Sequence, residues 1–344
     1  MKFTWWQALC VFLLIYVITF TFIVPLGPGL IAVDNTDVNE KLNEKLLVGY
    51  NTHFSDPSTQ IFISPSQGQY IAAEVVEVLS DSKVIIEFEL PKILASRNLN
   101  VLSNNNIDGT LFLQGAFYYN NCDVVVGHEL PELILNIEQQ KSSGFSIPFQ
   151  PNLNETIRNL MLHVPMWFTM FFLTGMGLVQ AVKYLYKEDL KFDLQSAASV
   201  HVGLLFCTLG LITGSIWARF TWGAWWVSDP QLNGAMVTFL VYVGYLILRM
   251  SIDDDHKKAR LSAVYNMFAF VILVVLLMIL PKFTDSLHPG KDGNPGFNQY
   301  DLNSTLRMVF YPAVIGWILL GFWIYRIRFG IQKLQRKLWY NEEI

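Results

Sequence analysis

Six long, almost uncharged apolar stretches decide what kind of molecule this chain can be. They run over residues 5–24, 160–182, 198–217, 236–250, 263–280 and 308–325. A hydrocarbon core of about 30 Å needs roughly 20 helical residues to cross it. Backbone N–H and C=O groups find no water there, so each crossing segment must satisfy its own hydrogen bonds as a helix. The expectation is a mainly α membrane protein with six transmembrane helices. The fourth stretch is short, and residues 232–235 can lengthen it. The first is longer than the apolar core of a secretory signal and lacks a small-x-small cleavage site, so it reads as a retained anchor.

Composition agrees. Of 344 residues, 52% are hydrophobic and only 15% charged, a balance that soluble domains rarely show. A net charge of −4 supplies no basic field, which excludes nucleic acid as a partner and leaves the lipid bilayer as the surroundings. Cys10 and Cys207 sit in apolar runs and Cys122 in a polar one, so no disulfide framework or CxxC pair is available. Zinc-ligand spacing is absent too.

Orientation follows the basic residues. Lys183, Lys187 and Lys191 share one loop, Arg249, Lys257, Lys258 and Arg260 another, and Arg326, Arg328, Lys333, Arg336 and Lys337 follow the last stretch. With alternating helices all three groups face the cytoplasm, together with both termini. Residues 25–159, the loop near 217–233 and residues 281–307 then face outward.

The outward segment 25–157 has a different texture. Residues 60–64, 70–79, 83–90, 110–117 and 133–138 read as short strands rich in Val, Ile and Phe, divided by Asn, Gly, Ser and Pro clusters. An inserted extracytoplasmic β-sandwich-like domain or small barrel is expected, with Ser103-Asn104-Asn105-Asn106 as a surface loop. The organisation is therefore an anchor (1–24), a β-rich domain (25–157), a five-helix membrane domain (158–326) and a basic amphipathic tail (327–344) lying on anionic lipid.

Chemistry concentrates on the outward face. Trp222-Gly223-Ala224-Trp225-Trp226-Val227-Ser228-Asp229-Pro230 puts three indoles into one short connection. Such a surface suits a large planar ligand. His163 opens the second apolar stretch, and His288 lies in the loop before the last. Two neutral imidazoles can fill both axial positions of a haem iron, and indoles can pack on the macrocycle. Arg158, Arg219, Lys282 and Arg307 lie near the same boundary, where the charge rule makes cations less expected. Haem propionates would give the arginines a purpose through paired hydrogen bonds; Lys282 reads better as a snorkelling side chain. Arg158 precedes His163 by about one and a half helical turns, beyond the imidazole towards water. His53, His128, His201 and His256 read as structural or solvated, and Asp253–Asp255 as a solvated turn. No Ser/His/Asp set, P-loop or dinucleotide fingerprint is present, so any ATP hydrolysis must come from another subunit.

Taken in order, Arg158-x-x-x-x-His163-Val164-Pro165, Gly214-Ser215-x-Trp217, Trp222-Gly223-x-Trp225-Trp226-Val227-x-Asp229, Tyr242-x-Gly244-Tyr245 and His288 resemble the cytochrome c maturation protein C family, the Trp-rich haem-handling membrane proteins of bacterial system I. The resemblance covers about residues 157–325 and, more loosely, the first apolar stretch. It implies that His163 and His288 ligate haem b as transient cargo and that Trp222, Trp225, Trp226 and Asp229 cradle it, with Arg158 falling on the family's arginine; Arg219 and Arg307 join it as propionate partners from their place at the boundary alone. It also implies ABC-transporter subunits, a small membrane subunit and a periplasmic haem chaperone as partners, in the bacterial inner membrane. The chain departs from the family pattern at Ser228, where tryptophan is usual, and at Pro230-Gln231 in place of Ala-Arg. Phe283 is the nearest aromatic upstream of His288, where the family has a pair. The β-rich insertion is absent from the common form and reads as an added partner-binding domain.

Two alternatives carry different expectations. A system II haem synthetase-like subunit, which attaches haem to apocytochrome c, would have more spans and further buried histidines. A small-molecule transporter would line a path with ionisable residues at mid-membrane.

Overall fold

A computed structural model of the chain describes residues 4–66, 69–120, 123–124, 146–150, 153–288, 302 and 304–340. It divides into two compact units, Met1–Ile23 with Thr156–Ile344, and Val24–Glu155. The expected strand at 133–138, Cys122 and His128 fall outside the described residues.

Six helices of the first unit are long and apolar enough to cross a membrane: α1 (Trp5–Ile23), α2 (Leu160–Lys187), α3 (Leu190–Thr221), α4 (Pro230–Met250), α5 (Asp255–Val274) and α6 (Ser304–Tyr340). This is a multi-pass membrane protein. Helix starts are written locally. Asp189, Asp229 and Asp254 accept from backbone N–H groups of the first turns of α3, α4 and α5, the usual role of an N-cap carboxylate. Pro230 at the first position of α4 has no N–H to leave unsatisfied. That cap carries α4 back to residue 230, earlier than its apolar run suggests.

Two elements differ from the reading of the sequence. Residues 327–340, expected as a basic amphipathic tail, are helical and continue α6, which spans 37 residues. No proline follows Pro312, so nothing breaks the helix after the apolar run ends. Arg336 Nη2 then reaches Asp255 Oδ2 at 2.6 Å. At its other end, α5 widens into a π-helical turn over Val275–Ile279 and closes in a 3₁₀ turn over Leu280–Lys282.

Small residues set the helix contacts, as expected where lipid offers little drive for association. Gly210 and Gly214 of α3 face Trp167 and His163 of α2, so a glycine pair at i, i+4 receives a large pair at i, i+4. Gly203 receives Thr174, and Gly321 of α6 receives Thr169. At the opposite end of the bundle, Arg249 grips Asp193 with two hydrogen bonds of 2.6 and 2.8 Å. Beside them Asn266 Nδ2 donates to Ser196 Oγ, which donates to the Gly177 carbonyl.

The second unit is one curled sheet rather than two facing ones. Its strands are β1 (Gly29–Val33), β2 (Asp37–Val38), β3 (Asn43–Tyr50), β4 (Gln60–Ser66), β5 (Gln69–Ser80), β6 (Lys83–Phe88), β8 (Asn98–Asn105) and β9 (Gly109–Tyr119), in the order β1-β3-β6-β5-β4-β8-β9-β2. A short pair, β7 (Ile93–Leu94) and β10 (Asp123–Val124), stands apart. The curl brings β1 beside β9. Alternating burial along β3 and β6 sends Leu47, Val84 and Ile86 into the core with Ile61, Ile63, Leu99 and Phe117.

The expected surface loop at residues 103–106 is mostly strand. Ser103, Asn104 and Asn105 are buried in β8, paired with β4 on one side and β9 on the other. Their polar composition argued for solvent, but Thr110 Oγ1 satisfies Asn104 Oδ1 and Asp108 Oδ2 accepts from Asn105 Nδ2. Asn106 alone of the four is exposed.

Candidate functional site

His163 lies one turn into α2, in a slot made by the last turns of α3. Its ring stands edge-on to Trp217 at 5.7 Å and to Trp167 at 6.2 Å. Nδ1 is 3.1 Å from Thr213 Oγ1. The Thr213 hydroxyl donates its own proton to the Leu209 carbonyl at 2.8 Å, so it faces the imidazole as an acceptor and Nδ1 carries the hydrogen. That leaves the Nε2 lone pair for a ligand. The slot exists because residue 214 is glycine: a Cβ there would lie 2.6 Å from His163 Cε1. Asn159 Nδ2 ties the start of α2 to the Thr213 carbonyl.

The chain leaves α3 through the Trp-rich loop. Gly223 takes φ +78°, a left-handed conformation that a side chain resists, and this turn separates the indoles. Trp222 folds in against His288, with ring centroids 5.4 Å apart. Trp225 is 58% exposed and Trp226 38% exposed, with Trp226 Nε1 donating to Asn233 Oδ1. One indole thus packs on a histidine and two form an open apolar lip.

Asp229 joins this loop to the segment carrying His288. Its Oδ1 accepts from the N–H groups of Gln231 and Leu232 and from Ser286 Oγ, and its Oδ2 accepts from Leu287 N–H at 2.8 Å. Burial opposes ionisation of the carboxyl. The hydrogen bonds from Leu287, Ser286 and Leu232 outweigh that and hold it below the usual carboxylate range. His288 Nδ1 lies 3.5 Å from Asp229 Oδ1 and has no hydrogen-bond partner among the described residues. Burial pushes the His288 imidazole down, against the opposing pull of Asp229, so the ring is neutral at pH 7. The end of α3 links the two imidazoles, placing Trp217 on one and Trp222 on the other.

The arginines are not all gathered in the same way. Arg158 Nη1 donates to the Thr21 carbonyl at 2.6 Å, closing the last turn of α1. Arg219 Nη1 donates to the Gly223 carbonyl and braces the loop. Arg307, in the first turn of α6, is half-buried and its Nε has no hydrogen-bond partner among the described residues. Of the histidines set aside, His201 bonds the Ala197 carbonyl and His53 bonds Asp108. Thr213, Trp167 and Ser286 went unnoticed in the sequence reading. The i, i+4 match of Gly210 and Gly214 to His163 and Trp167 was the signal that could have found the slot.

Six membrane-crossing helices define a polytopic membrane protein, in which two histidines and an indole-rich loop gather at one end of α3. The chain belongs to the Heme exporter protein C family, whose model matches residues 134–342, more than half of the chain. That match begins after β10, so the curled sheet precedes it. The chain is 27% identical to Heme exporter protein C of Paracoccus denitrificans over 197 residues, 57% of this chain and 80% of the relative. It is 30% identical to the Bradyrhizobium diazoefficiens protein of the same name over 122 residues, 35% of this chain and 46% of that one. A shorter stretch of 99 residues is 35% identical to cytochrome c biogenesis protein CcsA of Prochlorococcus marinus, covering 29% of this chain and 31% of the relative. Membership of this family assigns the chain a haem-handling role in cytochrome c biogenesis.

Proposed function

We propose that the protein holds haem b between His163 and His288 as transient cargo and passes it to a periplasmic haem chaperone. The observation that carries this reading is the pair of imidazoles on separate elements. His163 has Nδ1 committed to Thr213 with Nε2 left over, and His288 is neutral beside the Trp222 ring. Neutral imidazoles are iron ligands, and the exposed Trp225 and Trp226 offer π-faces for the macrocycle edge. Arg307 has an Nε donor without a partner among the described residues, available to a propionate. Arg219 keeps further N–H groups beyond its loop bond, because a guanidinium carries five; Arg158 would serve the propionates from the end of α1.

In this reading the site faces the periplasm from the inner membrane, with both termini cytoplasmic, since the lysines and arginines of the α2–α3 and α4–α5 loops and of the end of α6 then obey the positive-inside bias. The curled sheet is periplasmic and serves a partner. ABC-transporter subunits supply ATP hydrolysis, and a small membrane subunit completes the assembly. The test is spectroscopic. Purified full-length protein is expected to show a six-coordinate, low-spin haem that is lost in the H163A/H288A double variant; an unchanged spectrum in that variant overturns the site.

The similarity to CcsA favours a second reading, direct attachment of haem to apocytochrome c. It spans 31% of that relative against 80% of the Paracoccus protein. Co-purification of an ABC ATPase supports the first reading, and of a large non-ATPase subunit the second.

A further inference from the structure

The two histidines are held by different kinds of neighbour. His163 Nδ1 faces a neutral hydroxyl, Thr213 Oγ1 at 3.1 Å. His288 Nδ1 faces a carboxylate, Asp229 Oδ1 at 3.5 Å, and has no hydrogen-bond partner among the described residues. Asp229 is 2% exposed and fixed from four directions by Gln231, Leu232, Ser286 and Leu287. It cannot drift away from the ring, and the ring, packed on Trp222, has little freedom to turn elsewhere. A small rotation about the His288 side chain brings Nδ1–H onto Oδ1.

We infer that Asp229 is a positioning residue for His288: it selects the Nδ1–H tautomer, turns Nε2 outward as the ligand atom, and makes His288 the stronger of the two axial ligands, leaving His163 as the exchangeable one. A carboxylate behind a ligating histidine raises its basicity and fixes its orientation, and losing such a partner typically costs about 10- to 100-fold in metal affinity. A neutral hydroxyl behind His163 gives less. The asymmetry suits a protein whose cargo must leave, because one iron bond opens first while the other retains the haem. Asp229 thereby acts through the imidazole instead of touching the porphyrin, and the carboxylate that caps α4 also ties the Trp-rich loop to the ligand.

The ligand order rests on the haem reading, whereas the tautomer does not, and the experiment separates them. In haem-free, full-length protein carrying ¹⁵N-histidine, the His288 ring, assigned by its loss in H288Q, is expected mainly as Nδ1–H. It should change to mainly Nε2–H in D229A. A His288 that is mainly Nε2–H in the unmutated chain, or that ignores D229A, overturns the inference whether or not haem binds. D229N removes the charge and preserves one side-chain oxygen, enough for the helix cap made through Oδ1, while giving up the Leu287 N–H bond made through Oδ2; thermal unfolding measured alongside shows that the loop stays folded. In the haem-loaded protein D229N is expected to retain two-imidazole coordination, raise the reduction potential, and bind haem about tenfold more weakly or worse. H288A should lose more affinity than H163A, and that gap should close in the D229N background. A D229N protein matching the unmutated chain in potential and affinity overturns the ligand order. A chain that binds no haem at all instead defeats the proposed function and leaves the tautomer result standing.

Discussion

Gly214→Ala places a single methyl group where the His163 ring now lies. The added Cβ would sit 2.6 Å from Cε1, 3.3 Å from Nδ1 and 3.5 Å from Nε2. The ring has no easy retreat, since Thr213 holds Nδ1 and Trp167 and Trp217 stand at its edges. Overpacking of this kind costs about 1–3 kcal/mol. The same substitution returns about 0.8–1 kcal/mol of helix propensity to α3. Global stability therefore falls by roughly 0–2 kcal/mol. The displacement, however, falls on a ligand atom, and at tenfold per 1.4 kcal/mol it predicts a loss of haem affinity of roughly 5- to 150-fold. Haem titration followed by visible absorption, with thermal unfolding measured alongside, separates the two effects. In an H163A background G214A should cost no further affinity, because the ring it strikes is gone. Affinity and spectrum unchanged by G214A in the otherwise unmutated protein would refute the reasoning that His163 in this slot ligates iron.

Two other regions offer tests independent of haem. The Arg249 and Asp193 side chains are 12% and 6% exposed, so R249M strands a buried carboxylate and should destabilise the helical unit by about 3–5 kcal/mol. R249M/D193L should recover most of that, measured by unfolding in mild detergent; a double variant as unstable as the single one contradicts this account. In the curled sheet unit, hydrogen bonds from the Ser58 side chain and backbone hold the Asp56 carboxyl below its ordinary value of 3.8. A depressed acid stabilises the folded form above the ordinary value and loses that effect as pH falls through its lower folded value. Amide exchange around residues 56–59 should therefore stay protected at pH 5 and rise below pH 4, while S58A should show less protection already at pH 5 and a shallower rise on acidification.

The helical architecture was legible in the sequence because lipid removes choices. A run of about 20 apolar residues in a bilayer has few structures open to it, and the six runs match the six helices. Helix ends were less legible. α4 begins at Pro230 because Asp229 caps it, and α6 runs on to Tyr340 because no residue stops it; neither event leaves a mark in hydropathy. In the β-rich unit, strands β4, β5, β6 and β9 were found by texture. β1, β3 and β8 were missed, and β8 was partly mistaken for a loop, because buried asparagines satisfied by neighbours look like solvated ones along a linear chain.

The candidate site divides in the same way. Residue type and membrane side were enough to single out His163, His288 and the tryptophans, since imidazoles and clustered indoles at a membrane boundary limit the chemistry that can follow. Sequence alone could not supply orientation, which depends on contacts between segments fifty or more residues apart. The glycine slot for His163, the hydroxyl behind its Nδ1 and the carboxylate behind that of His288 all arise where α3 and the two loops converge. Composition determined that this chain lives in a membrane and carries histidines at its edge. Which nitrogen each ring presents, and which residue stands behind it, was decided only by tertiary packing, because hydrogen-bond direction belongs to pairs of atoms that the linear order keeps apart.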